Sequence, residues 1–405
     1  MPHLTLLHAA ELRLDAPFHG VGQPPEPLAT LLRDASLAAW EALVECALSR
    51  HVTALLLAGG LCDGLERGVR AQARLRDGLA RLTARGIAVA VALGPRDPHT
   101  LAVGPWPDGV TVFPPTGATL TLAPAGAPPL TIHGVSCPPE TTADDAVRRL
   151  RRGEAPGLHI GLLPAGLAGA AADAALRCTL DTLLAAQLDL WALGGTRAPA
   201  LVRSAAPWIV HASTPQGRSV AEHGPRGASL IEIEDGAVAR VVLEPLDRVR
   251  CLELPVAVGR GADAAEPCAA ALLRARESHR ERPLVVEAAL SGDVDAWRAP
   301  ALRAALLARL RRDASVSTPL VWWAGVRLAP PAPLDLTADD LRGEVARQRQ
   351  AIGSEPEQLA RFCHQHFAPL SGAWSAALEP RDAEALLDDA AALAAAALAD
   401  AESRR

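Results

Sequence analysis

His8-Ala9-Ala10-Glu11-Leu12-Arg13-Leu14-Asp15 follows the apolar run Leu4-Thr5-Leu6-Leu7 and reads as a polar loop closing a buried strand. In an α/β sheet, ligands and chemistry sit in loops at the carboxyl ends of strands. The next stretches repeat that rhythm. Residues 28–50 place Leu31, Leu32, Leu43, Val44 and Leu48 at near-helical spacing, and residues 52–58 form a continuous apolar run ended by Gly59-Gly60. Residues 63–85 return to helical periodicity, and residues 87–93 are a further apolar strand ended by Gly94-Pro95-Arg96-Asp97-Pro98. Strand and helix in alternation predict a layered α/β sheet.

Farther along, the Pro- and Gly-rich residues 104–129 suggest short edge strands and turns. Residues 130–135 and 158–163 read as strands, with a charged helix bearing Arg148, Arg149, Arg151 and Arg152 between them. Residues 170–188 read as a helix, 189–193 and 208–211 as strands, and 229–234 and 238–243 as strands flanking the hairpin signal Asp235-Gly236. These complete a first domain, residues 1–245. Strands at 249–256, 283–289 and 320–328, separated by helices at 264–281 and 300–312, predict a small α/β cap domain over 249–329. Pro330 to Pro333 reads as a linker. Thr337-Ala338-Asp339-Asp340 has the spacing of a capping box, opening a helix to about residue 352 within a C-terminal helical region, 336–405.

The chain has 405 residues, is 49% hydrophobic and 21% charged, and therefore carries enough apolar sequence for a sizeable core. No apolar run reaches the length of about 20 residues that spans a bilayer, and the opening lacks a basic secretory leader, so a cytoplasmic protein with no membrane partner is expected. Its seven cysteines contain no closely spaced pair, which suits free thiols better than disulfides or a zinc site. The net charge of −6 excludes a uniformly basic coat for nucleic acid, although arginine supplies all 40 positive charges and can still line a local cleft.

Several motifs in order resemble the calcineurin-like metallophosphoesterases, in particular the SbcD/YhaO-type DNA-repair exonucleases. His8 to Asp15 is similar to their His-Ala-Ala-Asp-Leu-His-Leu-Asp, and Leu57-Ala58-Gly59-Gly60-Leu61-Cys62-Asp63-Gly64 to their Leu-Ala-Gly-Asp-Leu-Phe-Asp-Gly. Gly94 to Pro98 resembles Gly-Asn-His-Asp-Pro, and His159-Ile160-Gly161-Leu162-Leu163-Pro164 resembles His-Ile-Gly-Leu-Leu-His. Asp189-Leu190-Trp191-Ala192-Leu193-Gly194-Gly195-Thr196-Arg197 resembles Asp-Tyr-Trp-Ala-Leu-Gly-His-Ile-His. The stretch from Trp208 to Gly227, with Thr214-Pro215-Gln216-Gly217-Arg218, resembles the end of the family's catalytic domain. The resemblance implies a four-layer αββα metallophosphoesterase sandwich, followed by the small α/β cap and the C-terminal helices.

Such enzymes use two Mn or Mg ions about 3.5–4 Å apart to activate water and steady the displaced phosphodiester. At the family's ligand positions this chain has Glu11, Arg13, Gly60, Pro95, Pro164, Gly195 and Arg197, and Arg96 replaces the His that serves the leaving group. Glu11 alone among these is a metal-binding residue type. The scaffold residues Gly59, Gly94, Asp97, Pro98, Gly161 and Gly194 remain, so the motifs are emptied without being erased. No cofactor is expected, and His8, His133 and His159, set in apolar strands, are expected to be hydrogen-bonded core residues.

The resemblance implies a catalytically inactive homologue of a DNA repair exonuclease, a scaffold or binding subunit whose partners are an SMC-like coiled-coil ABC ATPase, DNA and a second copy. One alternative is an active metal-dependent exonuclease or phosphoesterase with displaced ligands drawn from Glu11, Asp15, Asp63, His19 and His211. A second is an anion- or nucleotide-binding module using Arg13, Arg96 and Arg197, since guanidinium groups favour phosphate where a metal once sat. Arg148, Arg149, Arg151 and Arg152 read as a solvated helix face or, less simply, as DNA contacts.

Overall fold

The structure, a computed structural model, describes residues 3–14, 16–62, 68–97, 104–169, 176–259, 261–294, 296–314, 320–329, 340–355, 358, 361, 387, 390, 391 and 394. In chain order the first elements are β1 (His3–Ala9), α1 (Glu26–Ser49), β2 (Ala54–Ala58), α2 (Val69–Thr83), β3 (Ala88–Ala92) and β4 (Val110–Val112). Then come β5 (Ala118–Leu122), β6 (Leu130–Gly134), α3 (Ala143–Arg148), β7 (Leu158–Leu163), β8 (Gly166–Leu167), β9 (Arg177–Cys178), α4 (Leu180–Ala185) and β10 (Leu190–Leu193). A second return follows through β11 (Ala200–Arg203), β12 (Trp208–His211), β13 (Gly227–Glu234) and β14 (Ala237–Pro245).

These strands form two six-stranded sheets, one ordered β14-β13-β1-β2-β3-β4 and the other β11-β12-β10-β7-β6-β5. Strands β1 to β4 pair in parallel, and so do β6, β7, β10 and β12. The sheet centres read as unbroken apolar runs because both faces are covered. Leu6, Leu56, Ala58 and Ala90 of the first sheet pack against Ile132, Ile160, Leu162 and Ala192 of the second. Leu7, Leu55, Leu57, Val89 and Val91 point the other way, onto Trp40, Leu43, Leu75 and Leu79 of α1 and α2. On the outer face of the second sheet, Leu163, Trp191 and Ile209 meet Ala146 and Val147 of α3 and Leu183 of α4. Period-two alternation thus sends each strand's side chains into two cores, giving the expected four αββα layers.

Several local expectations need correction. The charged helix ends at Arg148; Arg149 caps it, and Arg151 and Arg152 lie beyond, because the chain turns back through the N–H bonds of Arg149 to Ala146 and Leu150 to Val147. The helix expected over 170–188 is only α4, opened by the Thr179 hydroxyl accepting from the Thr182 N–H; just upstream, β9 pairs with β8 instead of coiling. Residues 170–175 lie outside the described residues. Strand β11 had no periodic signal; it is a bulged edge on β12.

Next come β15 (Arg250–Val258), α5 (Ala265–Ser278), β16 (Leu284–Gly292), α6 (Pro300–Ala314) and β17 (Val321–Leu328), the strands forming a three-stranded sheet in the order β15-β16-β17. By packing, the chain divides into two compact units: residues 1–254, 263–288 and 300–326, and residues 255–262, 289–299 and 327–405. The stretch expected as a cap is shared between them. In the first unit, Val21, Leu28 and Leu32 meet Val249, Cys251 and Val285, while Trp322 donates to the Val21 carbonyl (2.7 Å) beneath the Arg311 guanidinium. In the second, α7 (Leu341–Ser354) opens on Asp340, whose carboxylate accepts from the Gly343 N–H at 2.8 Å. Asp340 is therefore the cap, and Thr337 lies outside the described residues, as do the linker at Pro330 to Pro333 and most of residues 381–405. Among the described residues no helix is long and apolar enough to cross a membrane.

The three histidines are buried and hydrogen-bonded as expected. His8 presents Nδ1 to the Leu56 carbonyl (3.3 Å) and Nε2 to the Leu193 carbonyl (3.1 Å), linking the first sheet to the second. His159 Nε2 faces the Ala155 carbonyl at 2.8 Å and must donate; its Nδ1 then accepts from His133 Nε2 at 2.9 Å. Burial pulls His133 down to about 4 from its ordinary 6.5, with His159 and Arg152 adding repulsion. Between those values the folded chain binds fewer protons than the unfolded one. Stability is therefore complete above pH 6.5 and lost as pH falls toward 4, by about 2–3 kcal/mol from this residue. Urea denaturation of His133→Gln is expected to give a flatter stability curve across that window than the parent, and an equally steep curve would contradict the assignment.

Candidate functional site

The carboxyl ends of the central strands of both sheets converge, and glycines make the approach possible. A Cβ on Gly194, just after β10, would lie 1.9 Å from the carbonyl oxygen of Ala58 at the end of β2. The loop after β1 is threaded along the loop after β2, with the Glu11 N–H donating to the Gly59 carbonyl and the Arg13 N–H to the Gly60 carbonyl, each at 2.8 Å. Glu11 and Arg13 both hold left-handed backbone, φ 52° and 41°. Non-glycine residues there carry strain on the order of 1 kcal/mol each, which the surrounding structure must impose.

Asp97 holds the next loop. Its carboxylate is buried and accepts the N–H groups of Gly60 (2.8 Å), Leu61 (2.6 Å), Cys62 (3.3 Å) and Gly94 (2.8 Å), so it ties the turn after β3 to the loop after β2. Burial pushes its carboxyl up to about 6, with Glu11 adding repulsion, although the N–H groups of Gly94, Leu61 and Cys62 pull the other way. Asp97 thus organises the backbone of the two loops that carry Gly60 and Pro95.

At the positions where the resemblance expects metal ligands, other contacts are made. Arg13 Nε donates to Glu11 Oε2 at 2.6 Å, and the Glu11 carboxylate lies over Gly60, where an added Cβ would sit 2.7 Å from Glu11 Cα, Cδ and Oε1. The volume of a side chain at position 60 is therefore filled by Glu11. Pro164 is buried against Gly59. Pro95 and Gly195 supply no donor atom in their side chains, and Arg96 is exposed on its turn. Arg197 Nη1 donates to Glu222 Oε1 at 3.0 Å.

The displaced-ligand set fares as follows. His19 is exposed and gives its N–H to the Arg218 carbonyl, His211 is buried with Nε2 accepting from the Leu167 N–H at 3.3 Å, and Glu11 is paired with Arg13. Asp15 and Asp63 lie outside the described residues. Among the described residues no three His, Cys, Asp or Glu side chains are grouped to hold a metal ion. A pair of divalent cations needs several convergent anionic or imidazole donors. This set of one engaged glutamate, two glycines, two prolines and two arginines does not fit them.

Two residues of the site escaped sequence reasoning. Glu222 is buried, receives Arg197 on Oε1 and the Arg218 N–H on Oε2 (2.9 Å), and lies 3.8 Å from Arg218 Nη2. Arg218 itself is 3% exposed. Burial lowers its guanidinium from the ordinary arginine value; Glu222 and Glu11 oppose that shift, while Arg13 and Arg197 add to it. The motif around Arg218 was legible, but not its burial.

The arginines at 148–152 lie elsewhere and are all exposed. Arg148 pairs with Asp145 (2.7 Å), Arg149 reaches the Pro115 carbonyl, Arg151 its neighbour's carbonyl at Leu150, and Arg152 pairs with Asp189 (2.7 Å).

The chain is 30% identical over 242 residues to the uncharacterized metallophosphoesterase YhaO of Bacillus subtilis (strain 168), a match covering 58% of this chain and 59% of that protein. Over that stretch the chain is similar to a metallophosphoesterase. Its four-layer sandwich is the fold expected of metallophosphoesterases. The chain thus spans about three fifths of the length of the relative it matches. No family model matches. Among solved structures it is similar to GAP50, the anchor in the inner membrane complex of Plasmodium, at 11% identity and TM-score 0.37, covering 60% of this chain and 89% of that one. It is also similar to a dimetal phosphatase from Danio rerio, at 12% identity and TM-score 0.35, covering 62% and 98%. At those scores neither bears on the chemistry of this chain.

Because Gly60 combines φ +67° with a neighbour at 2.7 Å, Gly60→Ala is expected to destabilise the fold by about 2–3 kcal/mol in chemical denaturation. A loss within about 0.5 kcal/mol would mean that the space over Gly60 is open after all.

Proposed function

We propose that this chain is a catalytically inactive homologue of a metal-dependent phosphoesterase, acting as a scaffold or DNA-binding subunit alongside an SMC-like coiled-coil ABC ATPase. One observation carries the loss of catalysis: the Arg13–Glu11 ion pair lies across Gly60, so the single carboxylate at the ligand positions is neutralised where a bridging side chain would be needed. The dinuclear reaction depends on two cations that activate water and stabilise the attacking and leaving oxygens. A guanidinium supplies positive charge but no open coordination position and no acidified water.

The retention of the scaffold supports a surviving role for the shape of the domain. Asp97 still organises its two loops through four backbone N–H groups, and the glycines still allow the sheets to close. The partner, the DNA and a second copy follow from the resemblance to SbcD/YhaO-type exonucleases, and a neighbouring gene for a long coiled-coil ATPase would add to that reading.

The test is isothermal titration with Mn²⁺ beside a nuclease assay on linear DNA. We expect no saturable Mn²⁺ binding below millimolar concentration and no cleavage that EDTA abolishes. Micromolar Mn²⁺ binding with EDTA-sensitive digestion would instead establish the displaced-ligand enzyme.

A further inference from the structure

Arg218 is a buried charged group whose guanidinium is left short of partners. Its side chain makes no hydrogen bond among the described residues, and its Nε is wholly buried without a partner. The nearest carboxylate oxygen, Glu222 Oε1, lies 3.8 Å from Nη2, beyond hydrogen-bond length. A buried guanidinium brings five N–H donors, and each left unmade costs the desolvation already spent on it. The backbone of Arg218 shows no such slack: its N–H reaches Glu222 and its carbonyl receives His19. The segment is therefore fixed, while its charged end is uncommitted.

The surroundings of Arg218 are cationic. Its electrostatic neighbours are Arg13, Arg197, Glu11 and Glu222, three arginines in all against two glutamates, which leaves one positive charge. Arg13 spends Nε on Glu11, and no contact of its terminal nitrogens is recorded among the described residues. These arginines come from three separate loops, following β1, β10 and β12. A carboxylate offers two coplanar oxygens, whereas a phosphate group offers three or more in a tetrahedral array and matches guanidinium forks in several planes.

We propose that Arg218, with Arg13 and Arg197, forms a binding site for a phosphate group. The site rests on the reading that the cleft holds no metal pair, since a dication would compete for Glu11 and repel all three arginines. Glu11 and Glu222 hold Arg13 and Arg197 in place and set the net charge. The phosphate group comes either from a small molecule or from the end of a DNA strand.

The experiment is thermal denaturation and calorimetric titration of the full chain in EDTA. The probes are inorganic phosphate, chloride at matched ionic strength, and a short oligonucleotide with and without a 5′-phosphate. Phosphate is expected to raise the melting temperature saturably while chloride does not; no saturable effect overturns the proposal. Arg218→Met is expected to bind at least tenfold more weakly, and equal affinity overturns it. Should Arg218→Met not fold, Glu11→Gln decides: loss of the competing carboxylate is expected to tighten phosphate binding several-fold, and unchanged or weaker binding overturns the site. Tighter binding of the 5′-phosphorylated strand than of its twin assigns the phosphate to a DNA end, and equal binding of the two, with inorganic phosphate still bound, assigns it to a small molecule. Phosphate binding that appears only when Mn²⁺ replaces EDTA overturns this site together with the inactive reading. Mn²⁺-dependent cleavage alongside phosphate binding in EDTA overturns only the latter.

Discussion

The Glu11 carboxylate has one position and two incompatible uses. Over Gly60 it can receive Arg13 or take part in binding a cation, and the 2.6 Å contact to Arg13 Nε commits it to the first. Everything else about the cleft follows from that commitment. Absence of a side chain at residue 60 leaves the space that Glu11 fills, and residues 11 and 13 both hold left-handed backbone. A metal site keeps anionic donors apart from one another by placing cations between them. Here a guanidinium is delivered by the same loop, so the balance of charge is covalently built in and does not vary with metal supply.

The fold around this pair is preserved because its constraints are independent of the metals. The Asp97 carboxylate binds backbone N–H groups, and the approach of the second sheet needs only that Gly194 lack a Cβ opposite the Ala58 carbonyl. Ligand side chains can therefore be exchanged one after another while the cores between and outside the sheets stay unchanged. This separation of scaffold from chemistry is what lets one architecture carry different side chains at the ends of its strands.

Much of this was legible in the order of residues. The strands around Leu55, Val91, Ile160 and Ala192 announce themselves as apolar runs, and Asp235-Gly236 closes the hairpin it promises, because in each case the signal is local. The residue types at positions 11, 13, 60, 95, 164, 195 and 197 were legible for the same reason: residue type alone decides whether a side chain can bind a cation. The short β8–β9 pair, the bulged β11 edge and the brevity of α4 were not, since an Ala-rich stretch carries helical propensity whatever its tertiary partners demand. That Asp97 ties two loops together was not legible, because its four donors come from both of them. The burial of Arg218 and Glu222 was not legible; it arises from packing between segments far apart in the chain, which no local pattern records.

The central claim is that Arg13 and Glu11 occupy the place of the metal pair. Crystals grown with excess Mn²⁺ and measured on both sides of the manganese absorption edge test it most directly. The account predicts no anomalous peak between Glu11 and Gly60, with Arg13 Nε still within hydrogen-bond distance of the Glu11 carboxylate. Two anomalous peaks about 3.5–4 Å apart in that space, with Arg13 turned away, would contradict it.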